Sequence, residues 1–166
     1  PDNYYLHSRH QNEITIFEDQ GAKGTISNIK KIKDALDDKE FLGWDGRYYL
    51  DLYKQYHKNL EEKGFTGIFP SVEDFTVKIN NNAYYYLGRI IENARINNNL
   101  DGFIMSDWET EKTNRCQGIT DIYRNTKGNP ELLSHYTQKL YLAVKAPNKL
   151  IRKGDTAMVD FFLVNE

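Results

Sequence analysis

The chain has little cysteine and no excess of charge of one sign. Each of these absences argues against a class of protein. Cys116 is the only cysteine among 166 residues, so no internal disulfide can form, and we expect an inert, small apolar side chain there. Lysine and arginine number 22 against 24 acidic residues, so no basic patch indicates a nucleic-acid partner. No apolar run is long enough to indicate a membrane partner.

The sequence also lacks the patterns that bind phosphate groups or metal ions. It has no glycine-rich phosphate loop, and His7 and His10 have no third ligand nearby. We therefore expect no cofactor and no metal, and we expect residues 1–12 to form a solvated lead-in segment. The opening PDNYYLHSRH has no initiator methionine, which indicates an excised or processed piece whose targeting information is hidden.

Aromatic side chains are abundant by comparison. The chain holds 12 tyrosines, 8 phenylalanines and 2 tryptophans. Tyrosine and tryptophan serve both as large core residues and as stacking surfaces with a polar group. Protein cores account for most such residues, so this composition favours a sugar- or peptide-binding surface only slightly.

The first segment with a clear strand pattern ends in acids. Residues 13–17, EITIF, alternate polar and apolar side chains and are rich in β-branched residues, which predicts a strand. Glu18 and Asp19 follow at once, and Gly21 closes the segment with a turn.

The same order recurs in the second half of the chain. Residues 103–105 form a short apolar run, which predicts a strand buried on both faces in a parallel sheet. Asp107, Trp108 and Glu109 follow directly. Since α/β folds bind ligands at the C-terminal ends of such strands, the two acidic ends are candidates for one site. The alternative is a core strand whose exit loop is acidic by chance.

Helical patterns lie between these two strands. They predict a helix over residues 25–36, a second helix from an Asp45 cap to about Gly64, and a third from a Ser71 cap that is interrupted at residues 80–82. Arg89, Glu92 and Arg95 recur every three residues, which predicts an ion-pair ladder on the surface. Trp44, in a glycine-rich turn, is either a lid on the core or a stacking platform.

The pattern changes to a two-residue period near Leu140. Residues 140–145 and 159–164 alternate in this way, with a turn signal at Lys153-Gly154-Asp155 between them. This predicts a second, all-β unit. Two strands cannot stand alone as a domain, so we expect this unit to be truncated at Asn165-Glu166.

These features together resemble a known family. The order of strand, acid and glycine, then helices, then a strand with Asp-Trp, then HYTQKLYLAVKAPNKLIRKGDTAMVDFFLVNE, resembles the C-terminal end of a glycoside hydrolase family 2-type catalytic barrel. The resemblance implies an α/β fold class, with a partial (β/α)8-barrel segment over residues 1–138. Residues 139–166 would begin an immunoglobulin-like β-sandwich. With 166 residues, the chain is too short for a complete barrel of roughly 250.

The resemblance also implies roles for particular residues. EITIFEDQG and GFIMSDWE are similar to barrel strands seven and eight, so Glu18 matches the nucleophile of a retaining glycosidase, although Asp19 could equally occupy that position. Trp108 is similar to the tryptophan under the sugar, and Asp107 or Glu109 would bind sugar hydroxyls. Trp44 is a further candidate substrate-binding residue.

The family's general acid lies on the fourth barrel strand, which this chain lacks, so the isolated segment is expected to be inactive. The implied partners are a carbohydrate substrate and the remainder of the barrel or another subunit, in a secreted or periplasmic protein. Two alternatives stay open. One is a non-catalytic carbohydrate-binding or assembly module that uses Trp44 and Trp108 but not Glu18. The other is a structural α/β domain with solvated acids.

Overall fold

The computed structural model describes residues 12–18, 21–110, 117–148 and 150–166. Its helices and strands are, in chain order, β1 (Ile16–Phe17), α1 (Ile29–Leu36), α2 (Trp44–Glu62), α3 (Val72–Arg95), β2 (Gly102–Phe103), α4 (Glu131–Ser134), β3 (Leu140–Lys145) and β4 (Asp160–Asn165). These mixed elements confirm the α/β class. The described strands form two separate two-stranded sheets. Within the same ranges, no helix has the length and apolarity needed to cross a membrane.

The two predicted acid-ended strands are parallel neighbours. Ile16 lies opposite Gly102 and Phe17 opposite Phe103. The Asp101 carboxylate accepts a hydrogen bond from the Thr15 backbone N–H at 2.7 Å, which fixes the start of the pair. Both strands are shorter than predicted.

The expectation that residues 103–105 are buried on both faces is wrong. Phe103 and Met105 are partly buried against the main core, whereas Ile104 is 50% exposed. The reason is that side chains alternate along this segment, and the core covers only the face that carries Phe103 and Met105.

The predicted interruption of the third helix is also wrong, because α3 runs unbroken through residues 80–82. Asn80 is fully buried. Its side-chain amide accepts a hydrogen bond from Ile26 N at 2.7 Å and donates to the carbonyl oxygens of Ile26 at 2.8 Å and Lys127 at 2.9 Å. These partners lie outside the helix, so the amide does not compete with the helical backbone bonds. The predicted Ser71 cap is confirmed, since its hydroxyl accepts from Asp74 N at 3.0 Å.

Two helix starts differ from the predictions. The first helix begins at Ile29 and not at Thr25, because the Thr25 hydroxyl donates to Gly118 O at 2.9 Å instead of capping a helix. Gly43 is the N-cap of α2, and Asp45 lies in its first turn. The first change follows from a contact distant in sequence and the second from the backbone geometry at Gly43. Neither can be predicted from the preferences of neighbouring residues.

The hairpin of β3 and β4 packs on α3 through a buried carboxylate. Glu92 is 2% exposed, so the predicted surface ladder is wrong. Its carboxylate accepts hydrogen bonds from the Tyr141 hydroxyl, the Lys145 ammonium and, at 2.6 Å, Arg89. Burial and the bond to Glu92 raise the pKa of Tyr141 above its ordinary value. A buried charge is tolerated here because several donors satisfy it.

The hairpin and α3 also share one apolar core. Its buried members are Ala22, Tyr84, Leu87, Ile91, Ile96, Ile119, Tyr136, Tyr141, Ala143 and Val164. On the opposite face of the hairpin, Leu142 and Leu163 pair across the strands and are more than half exposed. The proposed domain boundary between residues 138 and 139 stays a prediction.

We expect Asn80→Ala to lower the free energy of unfolding by about 2–4 kcal/mol, because it leaves the part-buried N–H and C=O of Ile26 and the buried C=O of Lys127 without their partners. Asn82→Ala is the matched control, since Asn82 lies on the same helix but is exposed. Urea denaturation of the two variants measures the difference. Equal losses of stability would show that the amide does not hold these segments together.

Candidate functional site

The two acidic segments meet at the C-terminal edge of the β1–β2 pair. Glu18 directly follows β1 and is exposed. Ile104 N donates to Phe17 O at 2.9 Å, so the segments that follow β1 and β2 are still adjacent where they leave the sheet. A Cβ atom on Gly21 would lie 3.1 Å from Ser106 O and 3.5 Å from a carboxylate oxygen of Asp107. The glycine therefore lets the backbone at residue 21 pack against Asp107.

An open depression lies at this edge. The described residues that line it are Asp107, Trp108, Glu109, Thr120 and Arg124, and its volume is about 440 Å³. We call it the Trp108 depression. Trp108 is 61% exposed, so the indole is accessible to a ligand. The volume lies within the ~300–1,000 Å³ range of small-molecule sites.

The backbone of Trp108 is held firmly although its side chain is exposed. The Trp108 carbonyl oxygen accepts hydrogen bonds from Ile119 N and Thr120 N, both at 2.9 Å, and from the Thr120 hydroxyl at 3.0 Å. Thr110 N donates to Thr120 O at 3.1 Å. These bonds fix both sides of the tryptophan to residues 117–128, which we call the 117–128 loop.

The 117–128 loop is in turn anchored by buried polar groups. The Tyr84 hydroxyl on α3 donates to Ile119 O and accepts from Lys127 N at 3.1 Å, and burial raises the pKa of Tyr84 above its ordinary value. The ammonium of Lys127, which is 1% exposed, donates to Gln117 O at 2.6 Å. A chain of buried hydrogen bonds therefore connects α3 with the position of Trp108.

Two lining residues have left-handed backbone conformations. Among the described non-glycine residues, only Asp107, with φ 56°, and Arg124, with φ 63°, have positive φ. Such conformations cost free energy and cluster at functional sites. Both residues lie in the Trp108 depression, which is a reason to treat it as the candidate site.

The turn that carries Arg124 is held by a buried acid. Asp121 is fully buried, and its Oδ1 accepts from Tyr123 N and Asn125 N, both at 2.9 Å. The Arg124 guanidinium reaches Glu109 at 3.3 Å with most of its side chain exposed. Sequence reasoning missed Arg124 and Thr120. An aspartate followed by a polar turn at residues 121–125 is the signal that would have predicted the turn.

The predicted site residues are only partly brought together. Asp107, Trp108 and Glu109 line one depression. Glu18 is at the same sheet edge but is not among the described lining residues, and neither is Trp44, which begins α2 and is 74% exposed. Asp19 lies outside the described residues, as do Cys116, His7 and His10. In the described ranges, no group of three or more His, Cys, Asp or Glu side chains could hold a metal ion.

Comparison of the chain with protein-family models, with curated proteins and with solved structures finds no match. Inferences about function therefore depend on the geometry and chemistry of the residues themselves.

We expect Gly118→Ala to disturb the Trp108 depression. Gly118 has φ 92°, and a Cβ atom there would lie 2.8 Å from the carbonyl carbon of Glu109. The expected cost is about 2–5 kcal/mol of stability from backbone strain and overpacking, together with a shift in Trp108 fluorescence, measured in a Trp44→Phe background.

The matched control is Gly24→Ala, which shares a positive φ of 83° but has no atom within 4 Å of the added Cβ. It should cost only about 1–2 kcal/mol and leave the Trp108 emission unchanged. Identical spectra and stabilities for the two variants would contradict the close contact between Gly118 and Glu109.

Proposed function

We propose that this chain is part of a retaining glycoside hydrolase that acts on a poly- or oligosaccharide, and that the Trp108 depression binds sugar. One observation carries the proposal. An exposed tryptophan stands between two carboxylate residues after one strand of a parallel pair, and Glu18 ends the neighbouring strand. In α/β folds this edge is the usual place for a ligand.

The proposed chemistry assigns Glu18 as the nucleophile, with Asp19 as the alternative. The Glu18 carboxylate attacks the anomeric carbon, the bond to the leaving oxygen breaks, and a glycosyl-enzyme ester forms. A second carboxylic acid, contributed from outside these 166 residues, protonates the leaving oxygen. It then removes a proton from the water that hydrolyses the ester.

The depression supplies the recognition of the sugar. The indole of Trp108 offers an apolar face for the C–H side of a sugar ring. The carboxylates of Asp107 and Glu109 accept hydrogen bonds from sugar hydroxyls, and the guanidinium of Arg124 donates them. The backbone bonds to the Trp108 carbonyl keep these groups in place before the sugar arrives, which lowers the entropic cost of binding.

In the larger architecture that we propose, β1 and β2 correspond to the last two strands of a (β/α)8-type barrel. The β3–β4 hairpin begins a β-sandwich that follows the barrel. The parallel pairing of β1 with β2 and the antiparallel register of β3 with β4 support this assignment.

The exposure of both tryptophans also favours a second candidate function. Trp44 is 74% exposed and Trp108 61% exposed, which suits a carbohydrate-binding module without catalysis. This alternative requires the indoles but gives Glu18 no role.

We expect Glu18→Gln to lower kcat by about 10⁴-fold or more toward nitrophenyl oligosaccharides in the full-length protein, because removing a covalent nucleophile leaves only binding and electrostatic effects. Trp108→Ala should raise KM by about tenfold through the loss of stacking area. Glu13→Gln is the matched control, since Glu13 is an exposed acid just before β1.

Added azide should restore turnover of Glu18→Ala and yield a glycosyl azide of inverted configuration, because the small anion attacks from the vacated side. Full activity with both Glu18 and Asp19 changed to amides would exclude the proposed nucleophile. Binding that needs Trp108 and Trp44, in a protein without turnover, would support the binding module instead.

A further inference from the structure

A second cavity lies on the other side of the turn that carries Arg124. It is a groove of about 110 Å³, and its described lining residues are Ile32, Leu36, Lys39, Phe41, Leu42, Gly43, Asp45, Gly46, Tyr49, Ile122 and Tyr123. We call it the Tyr123 groove. Its walls come from α1, the start of α2, the segment between these helices and the 117–128 loop.

One short turn separates the two cavities. Thr120 and Arg124 line the Trp108 depression, whereas Ile122 and Tyr123 line the Tyr123 groove. Asp121 holds the turn through bonds to Tyr123 N and Asn125 N. Residues 120–124 therefore contribute to the walls of both cavities.

The groove combines exposed aromatic rings with polar groups. Phe41 is 86% exposed and Tyr123 is 49% exposed, and Lys39 and Asp45 are exposed beside them. The Tyr49 ring is buried, and its hydroxyl makes no hydrogen bond with the described residues. Aromatic faces next to a few polar groups are the surface that a sugar chain needs, because sugar rings have both apolar faces and hydroxyl edges.

The size of the groove indicates how it is used. Its volume of about 110 Å³ is well below the ~300 Å³ of a small ligand site, so it is too small to capture a separate ligand. It suits part of a chain that is already held elsewhere. Such a second contact gains from the high effective concentration of a tethered group.

We propose that the Tyr123 groove binds part of the sugar unit next to the one that lies on Trp108, so that the substrate class is a linear oligo- or polysaccharide and not a simple glycoside. This inference rests on the proposed function. Phe41 and Tyr123 stack on the extended part of the chain, and Trp108 binds its first unit.

The test is the dependence of affinity on chain length, measured by calorimetry with the full-length protein. The probes are gluco-, manno- and N-acetylglucosamine oligosaccharides, each β-1,4-linked and one to six units long. In the series that binds, affinity should rise by about tenfold or more from one unit to four, as expected for one or two added aromatic contacts.

Phe41→Ala and Tyr123→Ala should each remove most of this rise while leaving the affinity for the single unit within twofold. Phe161→Ala and Tyr86→Ala are the controls, because both residues are exposed aromatics at other places in the fold, and they should keep the full rise. Circular dichroism confirms that each variant is folded.

Two failures are distinguishable. Affinity that does not depend on chain length, or a rise that survives both groove substitutions, overturns this inference and leaves the Trp108 site intact. Absence of binding by every series, or single-unit binding that is unaffected by Trp108→Ala, overturns the proposed function and this inference with it.

Discussion

The buried amide of Asn80 connects the parts of the molecule on which the site depends. It binds both backbone groups of Ile26, which lies between β1 and α1, and the carbonyl of Lys127 in the 117–128 loop. Buried backbone groups need partners, so these two segments are held against α3 at one point. Tyr84, one helical turn further along α3, binds the same loop, and the loop binds Trp108.

A second polar anchor on α3 holds the hairpin. Glu92 binds Tyr141 and Lys145 of β3, and Arg95 donates to the carbonyl oxygens of Tyr136 and Gln138 at 2.6 and 2.7 Å. Helix α3 therefore connects the 117–128 loop, which holds Trp108, to the β3–β4 hairpin. The apolar core between them gives most of the burial, and the polar anchors determine which segments meet.

Local patterns in the sequence were enough to predict the strands that end in acids, the parallel sheet edge and the two-residue period of the hairpin. They also drew attention to Asp107, Trp108 and Glu109, which line one depression, while their role as a site stays a prediction. These features depend on residues that are close in sequence, where periodicity and turn residues are informative.

Several of the errors share one physical cause, which is a partner distant in sequence. Three consecutive asparagines favour a helix break unless a tertiary partner binds the amide, as Ile26 and Lys127 bind Asn80. Glu92 has the spacing of a surface ion pair, and the packing of Tyr141 and Lys145 against it makes it a buried anchor. Arg124 lines the Trp108 depression because it lies in a turn that Asp121 holds. No local sequence pattern predicts where the side chains of that turn lie.

The most direct measurement of the central claim is covalent trapping of the nucleophile in the full-length protein. In glycosides with fluorine at C2 and a good leaving group, the fluorine destabilises the positively charged transition states of both steps. The good leaving group keeps the formation of the glycosyl-enzyme faster than its hydrolysis. The ester therefore accumulates and can be located by peptide mass spectrometry. The account predicts a label on Glu18, at the sheet edge beside the Trp108 depression. A label on a residue other than Glu18 or its alternative Asp19, or no label in a protein that still binds sugar, would contradict it.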